Sequence, residues 1–196
     1  MTMLIRLNTL LCALLTIYQQ CECRIPSSTI PLPETLDITK VYHNESLVWT
    51  VNTTAQTQIR CRVDVVTAAN ATYVTFNRTY YWQNNKTVNP LEGNLVHLNI
   101  FADKSGKLDG MLLHGHGAMI SSREQLRYVD NNNTCGVFSV QLQSGRPWYE
   151  LRALNSTVES IPQQCLDLIK KVVLRGQKWK SLYNSTCQNI IKNENH

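Results

Sequence analysis

The sequence lacks the short motifs that mark most enzyme, cofactor and metal sites. It has no Gly-x-Ser-x-Gly elbow, no phosphate-binding loop, no His-Glu-x-x-His pair and no dinucleotide fingerprint. No cysteine pair has the spacing of a structural zinc site, and His114 and His116 lack an evident third ligand. These absences argue against an enzyme, and we predict no cofactor and no metal.

Long apolar runs are also scarce. The clearest one, residues 10–18 after Arg6, is too short to span a bilayer, which takes about 20 apolar residues. It has the form of a secretory signal peptide, which we place at residues 1–23. Residues 24–40, rich in Pro, Ser and Thr, are expected to form an extended leader. The sequence therefore predicts one secreted domain without a transmembrane segment and without a nucleic-acid partner.

The cysteine count is odd until the signal peptide is removed. Three of the seven cysteines lie within it, and four remain: Cys61, Cys135, Cys165 and Cys187. Four cysteines in an oxidising compartment indicate two disulfides, and the sequence alone allows three ways of pairing them.

Sequons for N-glycosylation support the same route. There are eight, at Asn44, Asn52, Asn70, Asn77, Asn85, Asn132, Asn155 and Asn184. Because a glycan must point to solvent, each sequon also marks an outward-facing position.

Short stretches with period-two alternation recur along the chain. They predict strands at about 46–54, 58–66, 72–82, 94–101, 108–114, 124–129, 135–143 and 148–154. Their regular spacing indicates a sandwich or an up-and-down barrel. A helix is expected next, because Cys165, Leu168, Ile169 and Val172 form one apolar stripe of helical period.

Residues 135–165 carry a family resemblance. Cys135-x-Val137, then Glu150-Leu151, then Cys165 resembles the motif of the tick salivary lipocalins, the histamine-binding-protein family of the calycin superfamily. The resemblance implies an all-β fold: an eight-stranded antiparallel up-and-down lipocalin barrel with a C-terminal α-helix packed on its outside. It assigns the barrel and helix to residues 41–187 and leaves a polar tail at 188–196. It also implies the pairs Cys135–Cys165 and Cys61–Cys187.

Alternation along the strands then predicts which side chains line the lumen. If Asn52 and Asn77 face out, Trp49 and the alternate residues of 74–82 face in. The predicted ligand-binding residues are Trp49, Phe76, Arg78, Tyr80, Trp82, Phe138, Val140, Trp148, Glu150 and Arg152. These aromatic side chains would also suit a filled core, and the inward face of strand 58–66 is left open.

The expected lumen has few acids. Amine binders of the family usually carry an acid after the first cysteine of the motif, where this chain has Gly136. They also carry Trp or Tyr after Glu-Leu, where it has Arg152. One acid, Glu150, then faces at least two bases, Arg78 and Arg152, which suits a carboxylate on an apolar chain.

The sequence and the resemblance together predict a secreted, monomeric salivary lipocalin. It would sequester a small host inflammatory mediator and so suppress host defence. The favoured ligand is an amphipathic lipid, such as a leukotriene or fatty acid, or a sterol. The alternatives are a biogenic amine held by Glu150 and, if it faces in, Asp64, or a loop-mediated inhibitor that acts on a host immune protein or cell.

Overall fold

Eight antiparallel strands follow one another around a closed barrel. The computed structural model describes residues 36–99, 107–115, 120–172 and 178–192; the predicted signal peptide and residues 24–35 of the predicted leader lie outside this part. The strands are β1 Leu47–Thr53, β2 Arg60–Ala69, β3 Tyr73–Trp82, β4 Asn85–Val96, β5 Gly110–His114, β6 Ile120–Val129, β7 Cys135–Leu142 and β8 Trp148–Leu154. Each pairs with the next, and β1 pairs with both β8 and β2, which closes the sheet. The predicted up-and-down barrel is confirmed.

The N-terminal residues close one end of the barrel. A 3-10 helix, Ile38–Lys40, begins after Asp37, whose side chain accepts a hydrogen bond from the backbone N–H of Thr39 at 3.1 Å. Ile38, Val41 and Tyr42 are buried in the interior apolar cluster. We call this the closed end, where β1, β3, β5 and β7 begin, and the other the open end. Residues 36–40 therefore pack with the barrel, although they were assigned to the leader.

Two segments after β8 cover the outside of the barrel. Helix α1, Gln163–Val172, buries Cys165, Leu168 and Ile169, as its apolar stripe predicted. The C-terminal segment, residues 178–192, contains β9 Lys180–Ser181, a 3-10 helix Ser185–Gln188 and helix α2 Asn189–Lys192. Ile190 is fully buried, so the chain stays packed beyond Cys187 into the stretch expected to be a polar tail.

Both disulfides tie these outer segments to strands. Cys135 on β7 is bonded to Cys165 on α1, and Cys61 on β2 is bonded to Cys187 in the C-terminal segment. These are the pairs that the family resemblance implied.

Strand β4 begins earlier than predicted, at Asn85 rather than residue 94. Gln83 and Asn84 have φ values of 48° and 69°, the left-handed conformation that a two-residue hairpin turn requires. Pro90 lies within β4, opposite Asn77 on β3. It is tolerated inside β4 because it precedes the part that pairs with β5, which starts at Glu92.

Candidate ligand-binding site

The inner face of the barrel has two halves of different character. Toward the closed end it is apolar and filled. The buried members there include Val48, Val66, Val74, Phe76, Leu95, Met111, Leu126 and Phe138, each 6% exposed or less. Leu113 and Val140 are also buried but lie nearer the open end, opposite Ser122 and Trp148. Toward the open end, charged side chains take over.

Six charged residues meet inside the barrel, three arginines and three acids: Arg62, Asp64, Arg78, Glu124, Glu150 and Arg152. We call this set the charged network. Strand pairing explains the meeting, because Asp64 lies opposite Arg78 on β2 and β3, and Glu150 is two residues from Arg152 on β8. The network is electrically balanced, which reduces the cost of removing these charges from water.

Arg78 and Arg152 are the linking members of the network. Arg78 donates from Nε to Asp64 Oδ1 at 2.7 Å, from Nη2 to Asp64 Oδ2 at 2.8 Å, and from Nη1 to Glu124 Oε1 at 2.9 Å. Arg152 contacts Glu124 and Glu150, each at 2.5 Å. Arg62 donates from Nη2 to Glu150 Oε2. Glu124 and Glu150 are therefore each shared by two arginines.

Neutral groups complete the hydrogen bonding. Tyr42 donates its hydroxyl to Asp64 at 2.8 Å and accepts from Arg152 Nη1 at 2.7 Å. Trp148 Nε1 donates to Glu150 Oε1 at 2.8 Å, and Arg62 Nε donates to Thr50 at 3.0 Å. Each acid thus has several donors, which is the condition under which buried carboxylates remain charged.

The pKa values of the buried acids are set by burial on one side and by attraction to the arginines on the other. Burial by itself would raise the pKa of Asp64, but attraction and hydrogen bonding to Arg78 outweigh it and hold the pKa below its ordinary value. Burial is likewise outweighed by Arg152 and Arg78 at Glu124, and by Arg62 and Arg152 at Glu150, so both pKa values are lowered. Burial raises the pKa of Tyr42 well above its ordinary value, so its hydroxyl stays protonated as a donor.

Only Arg62 and Arg78 among the six residues of the network are accessible to solvent. The side chains of Asp64, Glu124 and Glu150 are 0–2% exposed, whereas those of Arg62 and Arg78 are 11% and 12% exposed. The accessible part of this balanced network therefore belongs to two arginines and not to an acid.

Most of the predicted lumen residues lie where alternation placed them. Phe76, Phe138 and Val140 belong to the interior apolar cluster, and Trp148 packs against it. Arg78, Glu150 and Arg152 belong to the charged network. Tyr80 lies on the same row of β3, with its hydroxyl 3.1 Å from Asn89 Nδ2, and Trp82 is 42% exposed at the open rim.

Trp49 is not in the lumen. Its Nε1 donates to Asn155 Oδ1 at 2.9 Å and its ring meets that of Tyr183 at 5.0 Å, beneath the C-terminal segment. A bulge between Thr50 and Asn52 is the reason, because counting by twos from Asn52 crosses an extra residue. Val48 and Thr50 face inward instead of Trp49.

The expected charge balance of the lumen was also wrong. Asp64 and Arg62 face inward and Glu124 joins them, so three acids stand against three arginines. Glu124 and Tyr42 were missed altogether. Glu124 begins the predicted strand 124–129, and no sequon or motif showed which face of this strand points inward. Tyr42 follows the predicted leader, residues 24–40, which was expected to be extended.

Gly136 leaves no room for the acid that the amine binders usually carry there. A Cβ at this position would come within 2.8 Å of both Leu126 Cδ1 and the backbone oxygen of Tyr128. The side chain of Leu126 fills the space instead.

The eight sequon asparagines all lie outside the buried set. Six are exposed, and Asn52 and Asn77 are half-buried. Asn44 and Asn70 line a groove of about 480 Å³ at the closed end, together with Tyr42, His43 and Lys107. A glycan on either asparagine would cover this groove, so we place the candidate site in the open-end half of the lumen.

None of the helices in the described part of the chain has the length and apolar character of a membrane span.

Comparisons with known proteins agree with this architecture. A family model described as tick histamine binding protein matches residues 31–189. The solved structure of the AM182 serotonin complex has a TM-score of 0.56 at 14% identity, covering 78% of this chain and 92% of that one. Japanin from Rhipicephalus appendiculatus bound to cholesterol has a TM-score of 0.53 at 11% identity, covering 75% and 98%.

The cockroach allergen Per a 4 has a TM-score of 0.50 at 13% identity, covering 79% of this chain and 92% of that one. At such identities these structures establish the fold alone. A search of curated protein sequences finds no match.

Proposed function

Because the chain belongs to the tick histamine-binding protein family, we propose that it is a secreted, glycosylated lipocalin that sequesters a small host inflammatory mediator. Holding the mediator in the barrel would suppress the host's defence. The family is one of binding proteins, and its fold encloses a lumen of the size that suits one small ligand. Two disulfides between strands and outer segments fit an extracellular protein.

The proposed ligand is an amphipathic lipid, such as a leukotriene or another fatty-acid derivative, or a sterol. The observation that carries this choice is that the accessible part of the charged network belongs to arginines, while its acids are buried. An ammonium needs a carboxylate in reach, because a desolvated cation is costly unless paired. Glu150, the acid best placed for one, is already bound by Arg62, Arg152 and Trp148.

An apolar body for this ligand has suitable neighbours in the open-end half. Trp148 and Tyr80 extend the inner rows of β8 and β3 toward the rim, where Trp82 and Leu142 are exposed. A cholesterol-bound neighbour, japanin, supports a sterol, and the AM182 serotonin complex keeps an amine as the alternative.

Native mass spectrometry of the protein secreted by insect cells tests this proposal. We expect a bound mass that organic extraction removes, in a protein whose N-terminus follows residue 23 and whose mass falls after glycosidase treatment. A protein that carries nothing, and that binds no leukotriene, fatty acid or sterol after extraction, would contradict the lipid proposal. That result would favour a loop-mediated inhibitor.

A further inference from the structure

We infer that Arg62 anchors the ligand's head group and selects an oxyanion, such as a carboxylate, over a neutral or cationic group. The inference rests on the proposed function, since it requires that the open-end half of the lumen hold a small amphipathic molecule. The sequence left open whether Arg62, on the predicted strand 58–66, faces inward.

The first support is the unequal use of the three arginines. Arg78 and Arg152 each direct Nε, Nη1 and Nη2 at protein acceptors. Arg62 directs only Nε, to Thr50, and Nη2, to Glu150. Its Nη1 has no partner among the residues that the structure describes, and its side chain is 11% exposed. An acceptor that arrives in the lumen can therefore bind Arg62 Nη1 without displacing a buried carboxylate.

The second support is the position of Arg62 beside Trp148. Both residues donate to Glu150, one to each carboxylate oxygen, so they approach it from adjacent directions. A head group on Arg62 therefore comes close to the indole, and the chain of the ligand can continue toward the open end. Thr50 and Glu150 hold the guanidinium in place, which lowers the ordering cost of binding.

The third support is the charge of the open end. The connections 54–59, 83–84 and 143–147 lie at this end, and with the adjoining strand residues they form the stretches 53–60, 82–87 and 142–148. These stretches contain no Asp or Glu but include Arg60, Lys86 and Arg146. Acids lie instead in the connections of the closed end, at Asp37, Glu45, Asp109, Asp130 and Glu159. This asymmetry attracts an anion to the open end and disfavours a cation there.

Paired ligands test the anchor directly. Arachidonic acid and its methyl ester share one apolar chain and differ in charge, so their dissociation constants isolate the head group. We expect the wild-type protein to bind the acid at least about tenfold more tightly, because the hydrogen bond to it is charge-assisted. Arg62→Gln should remove this preference by weakening acid binding and leaving ester binding nearly unchanged.

Arg60→Gln is the matched control. Arg60 lies two residues away on β2, is exposed and contacts Asn84. It adds to the positive charge of the open end but has no place in the anchor, so its loss should weaken acid binding only slightly and leave most of the acid-to-ester preference. Thermal unfolding shows whether each variant is folded. If Arg62→Gln does not fold, Arg62→Lys takes its place, because it keeps the charge beside Glu150 but loses the forked donors. It should reduce the preference.

The outcomes separate the inference from the proposed function. Equal binding of acid and ester by the wild type, or a preference that survives both Arg62 variants, overturns the role of Arg62 and leaves the lipid proposal standing. Binding of neither ligand overturns both the role of Arg62 and the fatty-acid form of the proposed function, and leaves only the sterol.

Discussion

Glu124 is the residue on which the charged network depends most. It is fully buried on β6 and is shared by Arg78 and Arg152, which come from β3 and β8. Removing one partner of a buried ion pair leaves a charge without compensation, which costs more than the intact pair contributes. Here a single substitution would leave two guanidinium groups short of a partner.

Glu124→Gln should therefore lower the free energy of unfolding by about 3–5 kcal/mol. Urea denaturation measures the change. Glu92→Gln is the control, since Glu92 is an exposed acid on β4 and its loss should change stability little. Equal effects of the two substitutions would show that the network is not what stabilises the interior.

Gly136 allows a second test at this scale. Gly136→Asp restores the acid of the amine binders, but its Cβ would clash with Leu126 and the Tyr128 backbone. We expect a loss of about 1–3 kcal/mol from overpacking and no gain of histamine binding.

Gly115→Asp serves as the comparison, because nothing lies within 4 Å of a Cβ at Gly115. Gly136→Asp that bound histamine tightly at wild-type stability would refute the steric account.

The C-terminal segment, residues 178–192, is an element that acts as an outer strap. Its strand β9 pairs with β1, Tyr183 packs on Trp49, and Leu182 and Ile190 are buried. The Cys61–Cys187 bond fixes its end to β2. The strap therefore covers the outside of the strands that carry Thr50 and Arg62 on their inner face.

The two disulfides should differ in their contribution to stability. Cys61 and Cys187 are 126 residues apart, and Cys135 and Cys165 are 30 apart, so the first closes the longer loop of the unfolded chain. Replacing the first pair with serines should cost about 1 kcal/mol more than replacing the second. Guanidinium denaturation of the two double variants measures the free energy of unfolding of each. A larger loss of this free energy on replacing the second pair would contradict the loop-entropy reasoning.

Alternation predicted the inner rows of β3, β7 and β8 correctly because no irregularity interrupts the relevant stretches. It failed on β1, where the bulge after Thr50 sends Trp49 outward. On β2, Cys61 has a φ of 55° beside a register shift between Arg60 and Val63. Arg62 and Asp64 consequently face inward, whereas Arg60 is exposed and contacts Asn84. Neither irregularity has a Gly or Pro that would reveal it in the sequence.

The charge of the lumen was harder to predict than its fold. Arg78, Glu150 and Arg152 were found because sequons and the family motif fixed the faces of their strands. Glu124 and Tyr42 had no such marker, and their roles depend on contacts between residues 22 or more positions apart, such as Tyr42 with Asp64 and Arg78 with Glu124. Periodicity gives the direction of a side chain but not its partner.

Across the whole molecule, the buried acids make stability depend on pH in one direction. The pKa values of Asp64, Glu124 and Glu150 are lower in the folded protein than in the unfolded chain. The unfolded chain thus binds more protons as the pH falls, and protonation favours unfolding. The stabilisation is complete at neutral pH and is lost as the pH falls through the carboxyl range and below it.

The melting temperature should therefore decrease steadily when the pH is lowered from about 5 to about 2.5. Calorimetric scans at constant ionic strength measure it, and Glu124→Gln, which removes one titrating acid, should show a shallower decrease. A melting temperature that stayed constant over this range in the wild type would contradict the assigned pKa directions.

Calorimetric titration of the extracted wild-type protein at neutral pH tests the central claim most directly, with histamine, a leukotriene and cholesterol as ligands. The accessible arginines of the charged network predict measurable binding of the leukotriene and little or no binding of histamine, and cholesterol is the lipid expected if the leukotriene does not bind. Tight binding of histamine without binding of either lipid would contradict it, since a buried carboxylate would then have to exchange an arginine for the amine.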